Sequence, residues 1–157
     1  RQLAVLYHVQ RRFSEAAAQW QQVIEARADF LQAWLGLGEV YLETESDQLT
    51  TVIDQLAQLP DGELESSLLK VRAFLKQKKF GEARSQAEAI IEKHPKAIEP
   101  RVILTHVLLQ EGKDLVAAEQ ALRAVLTLAP GHPEAQNNLS VLLAQQEDMH
   151  PSEETKP

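Results

Sequence analysis

The sequence predicts an all-α protein made of repeated pairs of antiparallel helices. Composition is the first observation behind this: 44% hydrophobic and 25% charged residues, with few aromatics and much Ala, Leu, Gln and Glu, favour helix over strand. Periodicity is the second. The apolar segments LAVLY (3–7), LGLGEVY (35–41), LLKVRAF (68–74), ILTHVLL (103–109) and NLSVLLA (138–144) recur at about 33 to 35 residues, and a fixed period in the range of 20 to 50 residues marks a stacked array. The third is a different recurring element between them: RRFSEAAAQWQQVIEARADF, then KKFGEARSQAEAIIEKHPKA, then KDLVAAEQALRAVLTLAPGH. Each of these carries an apolar residue, a small-residue step (Ala16, Ala83, Ala117), a further apolar stripe and a closing turn.

Taken in chain order, residues 1–30 form a partial unit and residues 31–63, 64–97 and 98–132 form full units. A lone first helix follows over 133–146, and the polar, Pro-bearing tail EDMHPSEETKP over 147–157 is expected to be disordered. Pro95 and Pro130 cannot continue a helix and so mark the ends of two second helices. The unit 31–63 is one residue short, and its second helix, QLTTVIDQL, lacks a clear Ala. The unit 98–132 has one residue too many near GKDLVA, placed in the turn between its helices.

The stretch AWLGLGEVY at 33–41 poses the sharpest question, because two glycines one residue apart can mean a phosphate-cradling loop. A dinucleotide fingerprint needs a third glycine three residues on, directly after a strand; that position is Tyr41, and ADFLQAW before it has helical spacing.

The pattern resembles the tetratricopeptide repeat, a unit of about 34 residues with W, L-G, Y, A, F, A and P in order. Trp34, Leu37, Gly38 and Tyr41 carry it in one unit, Phe80, Ala83, Ile90 and Pro95 in the next, and Leu104, Gly112, Val125 and Pro130 in the one after. Val71 departs from it, standing where a small residue is usual. The resemblance implies a right-handed α-solenoid. It also gives Gly38 a reason: there the first helix meets its own second helix, and a missing side chain lets the backbones approach, as Ala4, Thr105 and Ser140 do less completely. Gly36 has no such duty in this reading and is expected on an exposed face, so that Ala there should be neutral or slightly stabilising.

In such arrays the first helices line a concave groove that takes a protein or peptide partner. Carried onto this chain, one row of groove residues is Val5, Glu39, Arg72, His106 and Val141, a second is Gln32, Glu65, Glu99 and Glu134, and a third is Leu35, Leu68, Val102 and Asn137. Some members of the family clamp a chaperone's C-terminal carboxylate with Lys, Asn and Arg; the matching positions hold Arg1, Val5, Gly36, Glu65 and Leu69, of which Arg1 alone could serve. The phrases NLSVLLAQQ, PGHPEAQNNL and FLQAWLGLGEVYLE also resemble repeat arrays appended to family 2 glycosyltransferase domains in some bacterial proteins. That likeness implies an accessory region that positions a partner, including a catalytic domain in the same chain.

Other classes fare poorly. A net charge of −7 and a pI near 5.2 oppose nucleic-acid binding, and KQKK at 76–79 is a solvated helix end. There is no Cys and no apolar run of membrane-spanning length; no charged-then-apolar leader opens the sequence, and since it opens at Arg1 in mid-pattern it is expected to be an excised piece of something longer. The five His residues, 8, 94, 106, 132 and 150, show no H-x-x-x-H step, and no P-loop or G-x-S-x-G occurs. The expectation is a chain with no catalytic residues, metal or cofactor, in the cytoplasm by default. Two alternatives stay open: an enzyme using Glu39 with His106, and a module that self-associates through the ends of its array.

Overall fold

Local chemistry decides where the helices of this computed structural model begin and end. It describes residues 2–9 and 12–149, and among these all regular structure is helical. In order the helices are α1 (Gln2–Val9), α2 (Phe13–Ala26), α3 (Leu31–Glu43), α4 (Leu49–Gln58), α5 (Gly62–Lys76), α6 (Phe80–Lys93), α7 (Ile98–Glu111), α8 (Leu115–Leu128) and α9 (Pro133–Met149). They group into two compact units, Arg1–Gln77 and Lys78–Pro157.

Three first helices end on a residue in the left-handed region, the usual way of turning a chain out of a helix. These are Glu45 (φ 53°), Lys78 (φ 57°) and Gly112 (φ 69°). Each lies seven residues after a buried position, Gly38, Val71 or Thr105, so the three helices are in register. The second helices then start at different distances: α6 two residues after Lys78, α8 three after Gly112, α4 four after Glu45. Lys113 is thus the extra residue of 98–132, and it lies in the inter-helix turn as the sequence suggests. It also moves the small-residue step of that unit by one. Ala118, not Ala117, is fully buried, three residues into α8 just as Ala16 and Ala83 are in α2 and α6.

The irregular second helix of 31–63 is present as α4, with Leu49, Val52 and Leu56 buried. It has 10 residues where α2, α6 and α8 have 14. Pro60 explains the stop: a residue before proline is pushed out of the helical region, and Leu59 is extended at φ −82°, ψ 149°. The next helix starts at Gly62, two residues before the expected boundary at 64, because the chain passes so close to Leu56 that a Cβ at 62 would lie 1.9 Å from its carbonyl oxygen.

A recurrent tether fixes the turns between repeats. The fourth residue of a first helix donates a side-chain N–H to a carbonyl six residues back: Trp34 to Ala28 (2.8 Å), Arg101 to Pro95 (2.9 Å) and Gln136 to Pro130 (2.7 Å). Asp114 caps α8 by accepting the Ala117 N–H at 2.9 Å, and the His132 Nδ1 accepts the Ala135 N–H at the start of α9. His132 is therefore a structural cap. Helix α9 runs to Met149, so residues 147–149, expected in the tail, are helical; the rest of the tail lies outside the described residues.

The two glycines of AWLGLGEVY both answer to packing. A Cβ at Gly38 would stand 3.3 Å from Val52 Cγ1, on its own second helix, and 2.6 Å from Leu69 Cδ2. This glycine makes room for the Val that replaces Ala in α4. Gly36 is not on an open face. A Cβ there would lie 2.2 Å from Cε2 of Trp20, whose indole is 4% exposed and fills the space between α2 and α3. The expected tolerance of Ala at 36 is overturned. The core of the N-terminal unit accordingly centres on Trp20, Leu37, Val40 and Leu56; that of the C-terminal unit centres on Leu108, Leu122, Val125 and Leu142.

Candidate partner-binding face

The helical period puts Leu35, Glu39 and Glu43 of α3 on one side, and Arg72 and Lys76 extend the same side on α5. Within the N-terminal unit these residues meet across the helix pair. Arg72 lies 4.0 Å from Glu39, with side chains 37% and 53% exposed. One turn further on, Lys76 lies 3.4 Å from the Glu43 carboxylate and 3.3 Å from the Glu43 carbonyl oxygen. The result is a two-rung ladder of ion pairs open to solvent. Exposed pairs of this kind stabilise a fold by only about 0–1 kcal/mol.

In the C-terminal unit His106 of α7 reaches Glu134 at the start of α9, Nε2 to Oε1, at 2.5 Å. Sequence periodicity alone sets these two residues in different rows, one central and one acidic. Glu99 and Asn137 are exposed and Val102 is half-buried. Val141 and, in the other unit, Val5 are about half exposed, at 50% and 49%. Gln32 is exposed, Glu65 and Leu35 are half-buried.

One expected groove residue is not presented at all. Leu68 is 2% exposed, because α5 carries two buried stripes, Ser66–Leu69–Ala73 and Leu68–Val71, and Leu68 falls in the second. The pair Glu43–Lys76 was missed, although its signal was available: each residue lies four positions after a member of the central row and so shares its face. Arg72 has Glu39 as a carboxylate partner in the N-terminal unit, and His106 has Glu134 in the C-terminal unit. Arg1, the one residue suited to a carboxylate clamp, lies outside the described residues.

No group of three or more His, Cys, Asp or Glu among the described residues is arranged to hold a metal ion. No helix among them is long and apolar enough to cross a membrane.

Comparison with known proteins adds three findings. Residues 2–49 match the family model described as Tetratricopeptide repeat. Over 143 residues the chain is 27% identical to the Homo sapiens protein named Protein O-mannosyl-transferase TMTC3, covering 89% of this chain but only 15% of that protein's length. Among solved structures, MamA from Desulfovibrio magneticus RS-1 superposes with a TM-score of 0.66 at 16% identity, covering 94% of this chain and 84% of that one. YrrB, described as a TPR protein with an unusual peptide-binding site, gives 0.55 at 21% identity, covering 94% and 76%. These structural likenesses show the fold: helix hairpins in series. Residues 2–49 thus match the Tetratricopeptide repeat model, and the described helices share the hairpin fold of these solved structures.

Proposed function

We propose that the chain is a non-catalytic scaffold that binds a protein or peptide through the exposed face of its first helices. The observation that carries this reading is the ladder Glu39–Arg72 and Glu43–Lys76, with the His106–Glu134 pair as its counterpart in the other unit. Charges in such positions hold little of the fold together, yet they can exchange an intramolecular partner for one on a ligand. A carboxylate buried against Arg72 would depend on it strongly, since truncating one member of a desolvated pair costs about 2–5 kcal/mol of binding. The peptide-binding site ascribed to YrrB supports a ligand of this type. The test is Arg72→Glu. Melting should be almost unchanged while partners retained by the immobilised wild-type protein are lost, and full retention would place the site elsewhere.

A second reading concerns the protein around this segment. Identity of 27% to a human O-mannosyl-transferase over 89% of the chain favours an accessory repeat region attached to a sugar-transferring domain. Deleting the segment from its full-length protein should then change which acceptor is modified, with turnover of a minimal acceptor preserved. Unchanged acceptor selection would remove that reading.

A further inference from the structure

The N-terminal unit contains a second recess, on the other side of α3 from the ion-pair ladder. It is a cleft of about 640 Å³ between α2 and α4, with α3 as its floor, a volume within the usual range for ligand pockets of about 300–1,000 Å³. Ile24 and Trp34, both partly exposed, line it, and the buried Leu37, Tyr41 and Val52 form its base. At 100° per residue, Trp34, Leu37 and Tyr41 cluster on one stripe of α3, roughly 160° from the stripe of Gln32, Leu35 and Glu39. The two faces are therefore separate sites.

The aromatic groups are already fixed in place. The Trp34 indole N–H donates to the Ala28 carbonyl oxygen at 2.8 Å, and Gln21 donates to the Tyr41 hydroxyl at 2.9 Å across the α2–α3 junction. A ligand would meet a preformed wall instead of ordering one, which lowers the entropic cost of binding.

The segment that builds the cleft is predominantly acidic. From residue 21 to residue 60 the chain carries Glu25, Asp29, Glu39, Glu43, Glu45, Asp47 and Asp54, seven carboxylates, against Arg27 alone. Arg27 is stacked over the Phe30 ring at 4.7 Å, and Glu39 and Glu43 are engaged by Arg72 and Lys76 on the far side of α3. Glu25 lines the cleft itself. Asp54 follows the lining residue Thr51 by three positions on α4, and Asp47 adjoins the lining residue Gln48. These three carboxylates make no ion pair with the described residues. An apolar, aromatic recess with an unopposed acidic rim complements a side chain that is apolar along its length and cationic at its tip, and aromatic faces attract such cations further.

We infer that this cleft is a docking site for a short peptide segment in which apolar residues alternate with Lys or Arg. The experiment uses the 157-residue chain and a fluorescein-labelled peptide of alternating Leu and Lys, with a Leu/Glu peptide of the same length as its counterpart. Anisotropy reports affinity. The two indole N–H signals report location, since Trp34 lines the cleft and Trp20 is buried away from it. The Leu/Lys peptide should bind and shift the Trp34 signal while leaving that of Trp20 in place. Glu25→Lys and Thr51→Arg should each weaken it about tenfold, as expected where a rim charge or a steric block opposes the ligand. Arg72→Glu, on the opposite face, and Glu92→Lys, on α6 and not among the lining residues, should leave the affinity within about twofold, because changes that share no partner with a site are nearly independent of it.

The inference is overturned if the Leu/Lys peptide does not bind or if the Leu/Glu peptide binds equally well. It is also overturned if Glu92→Lys weakens binding as much as Glu25→Lys, which would reduce the effect to net charge. Loss with Arg72→Glu alone would assign the peptide to the ladder face and refute the cleft while supporting the other proposal.

Discussion

Gly36→Ala separates two forces that act in opposite directions on one methyl group. In an exposed helix Ala is favoured over Gly by about 1 kcal/mol. Here the methyl carbon would sit 2.2 Å from Cε2, 2.5 Å from Cζ2 and 2.6 Å from Nε1 of Trp20, where non-bonded carbons prefer about 3.5–4.0 Å. Relief requires the ring or the helix to retreat by more than about 1 Å. Trp20 is 4% exposed and offers a rigid ring plane to the glycine instead of a flexible tip. Such overpacking costs about 1–3 kcal/mol, and so close an approach belongs at the upper end. With the propensity gain subtracted, the net loss is about 2 kcal/mol, or about 4–8 °C in melting temperature for a chain of this size. Urea or thermal unfolding of wild type, Gly36→Ala, Trp20→Phe and the double variant forms a cycle. The cost of Ala at 36 should fall by about 1 kcal/mol or more when Phe replaces the larger ring, the size of coupling expected for residues in contact. A Gly36→Ala protein as stable as wild type, or more so, would refute this packing of α2 on α3.

Gly38→Leu should also destabilise, by about 1–3 kcal/mol, but Gly38→Ala should be milder than Gly36→Ala, because its nearest obstacle is Cδ2 of Leu69, the mobile end of a side chain; denaturant midpoints of the two Ala variants give the order. Asp114→Ala removes both the cap on Ala117 and the 3.6 Å contact with Arg84, and unfolding should register a loss of about 1 kcal/mol, the usual worth of such a cap. The Glu15 carboxyl is held below its ordinary value of 4.5 by a backbone hydrogen bond and then by Arg12. What it adds to stability is complete above that value and disappears as pH falls through the lowered one; a carbon-detected titration should find it low, and Arg12→Ala should move it part of the way back up.

Much of this architecture was legible in the sequence because a repeat states its pattern several times over. The alternation of helices, the turns at Pro95 and Pro130 and the insertion near Gly112 all follow from comparing one unit with the next. Boundaries were harder where a unit breaks the pattern. Pro60 truncates α4 and brings α5 forward to Gly62, and neither shift can be derived from the period alone. Gly36 was misread for a related reason: its partner lies 16 positions earlier, on a different helix, and only the packed structure sets Trp20 over it. The position of Trp20 is held in the other second helices by smaller residues, Ala87 in α6 and Leu122 in α8, so comparison among units gives no hint of a clash. Exposure differs among the residues of the expected rows. Glu39, Arg72, His106 and Glu134 are presented, while Leu68 is lost to the core of a helix packed along two stripes.

Helix α3 links these observations, because its stripes meet separate demands. Gly36 accepts Trp20 from α2, and Gly38 accepts Val52 from α4 and Leu69 from α5. With three neighbours so close, little of the helix remains free to change. What stays accessible is the carboxylate stripe of Glu39 and Glu43 and, on the opposite side, the partly exposed ring of Trp34. The glycines therefore bear on function as well as on stability. By drawing α2, α4 and α5 in close, they fix the spacing of the ladder from Glu39 to Arg72 and the width of the cleft from Ile24 to Val52. A side chain added at Gly36 pushes on α2, one wall of the cleft, whereas one added at Gly38 pushes on Leu69 and so on the helix that carries Arg72. Substitutions small enough to leave the protein folded should therefore disturb the two faces unequally: Gly36→Ala the aromatic cleft, Gly38→Ala the ion-pair ladder.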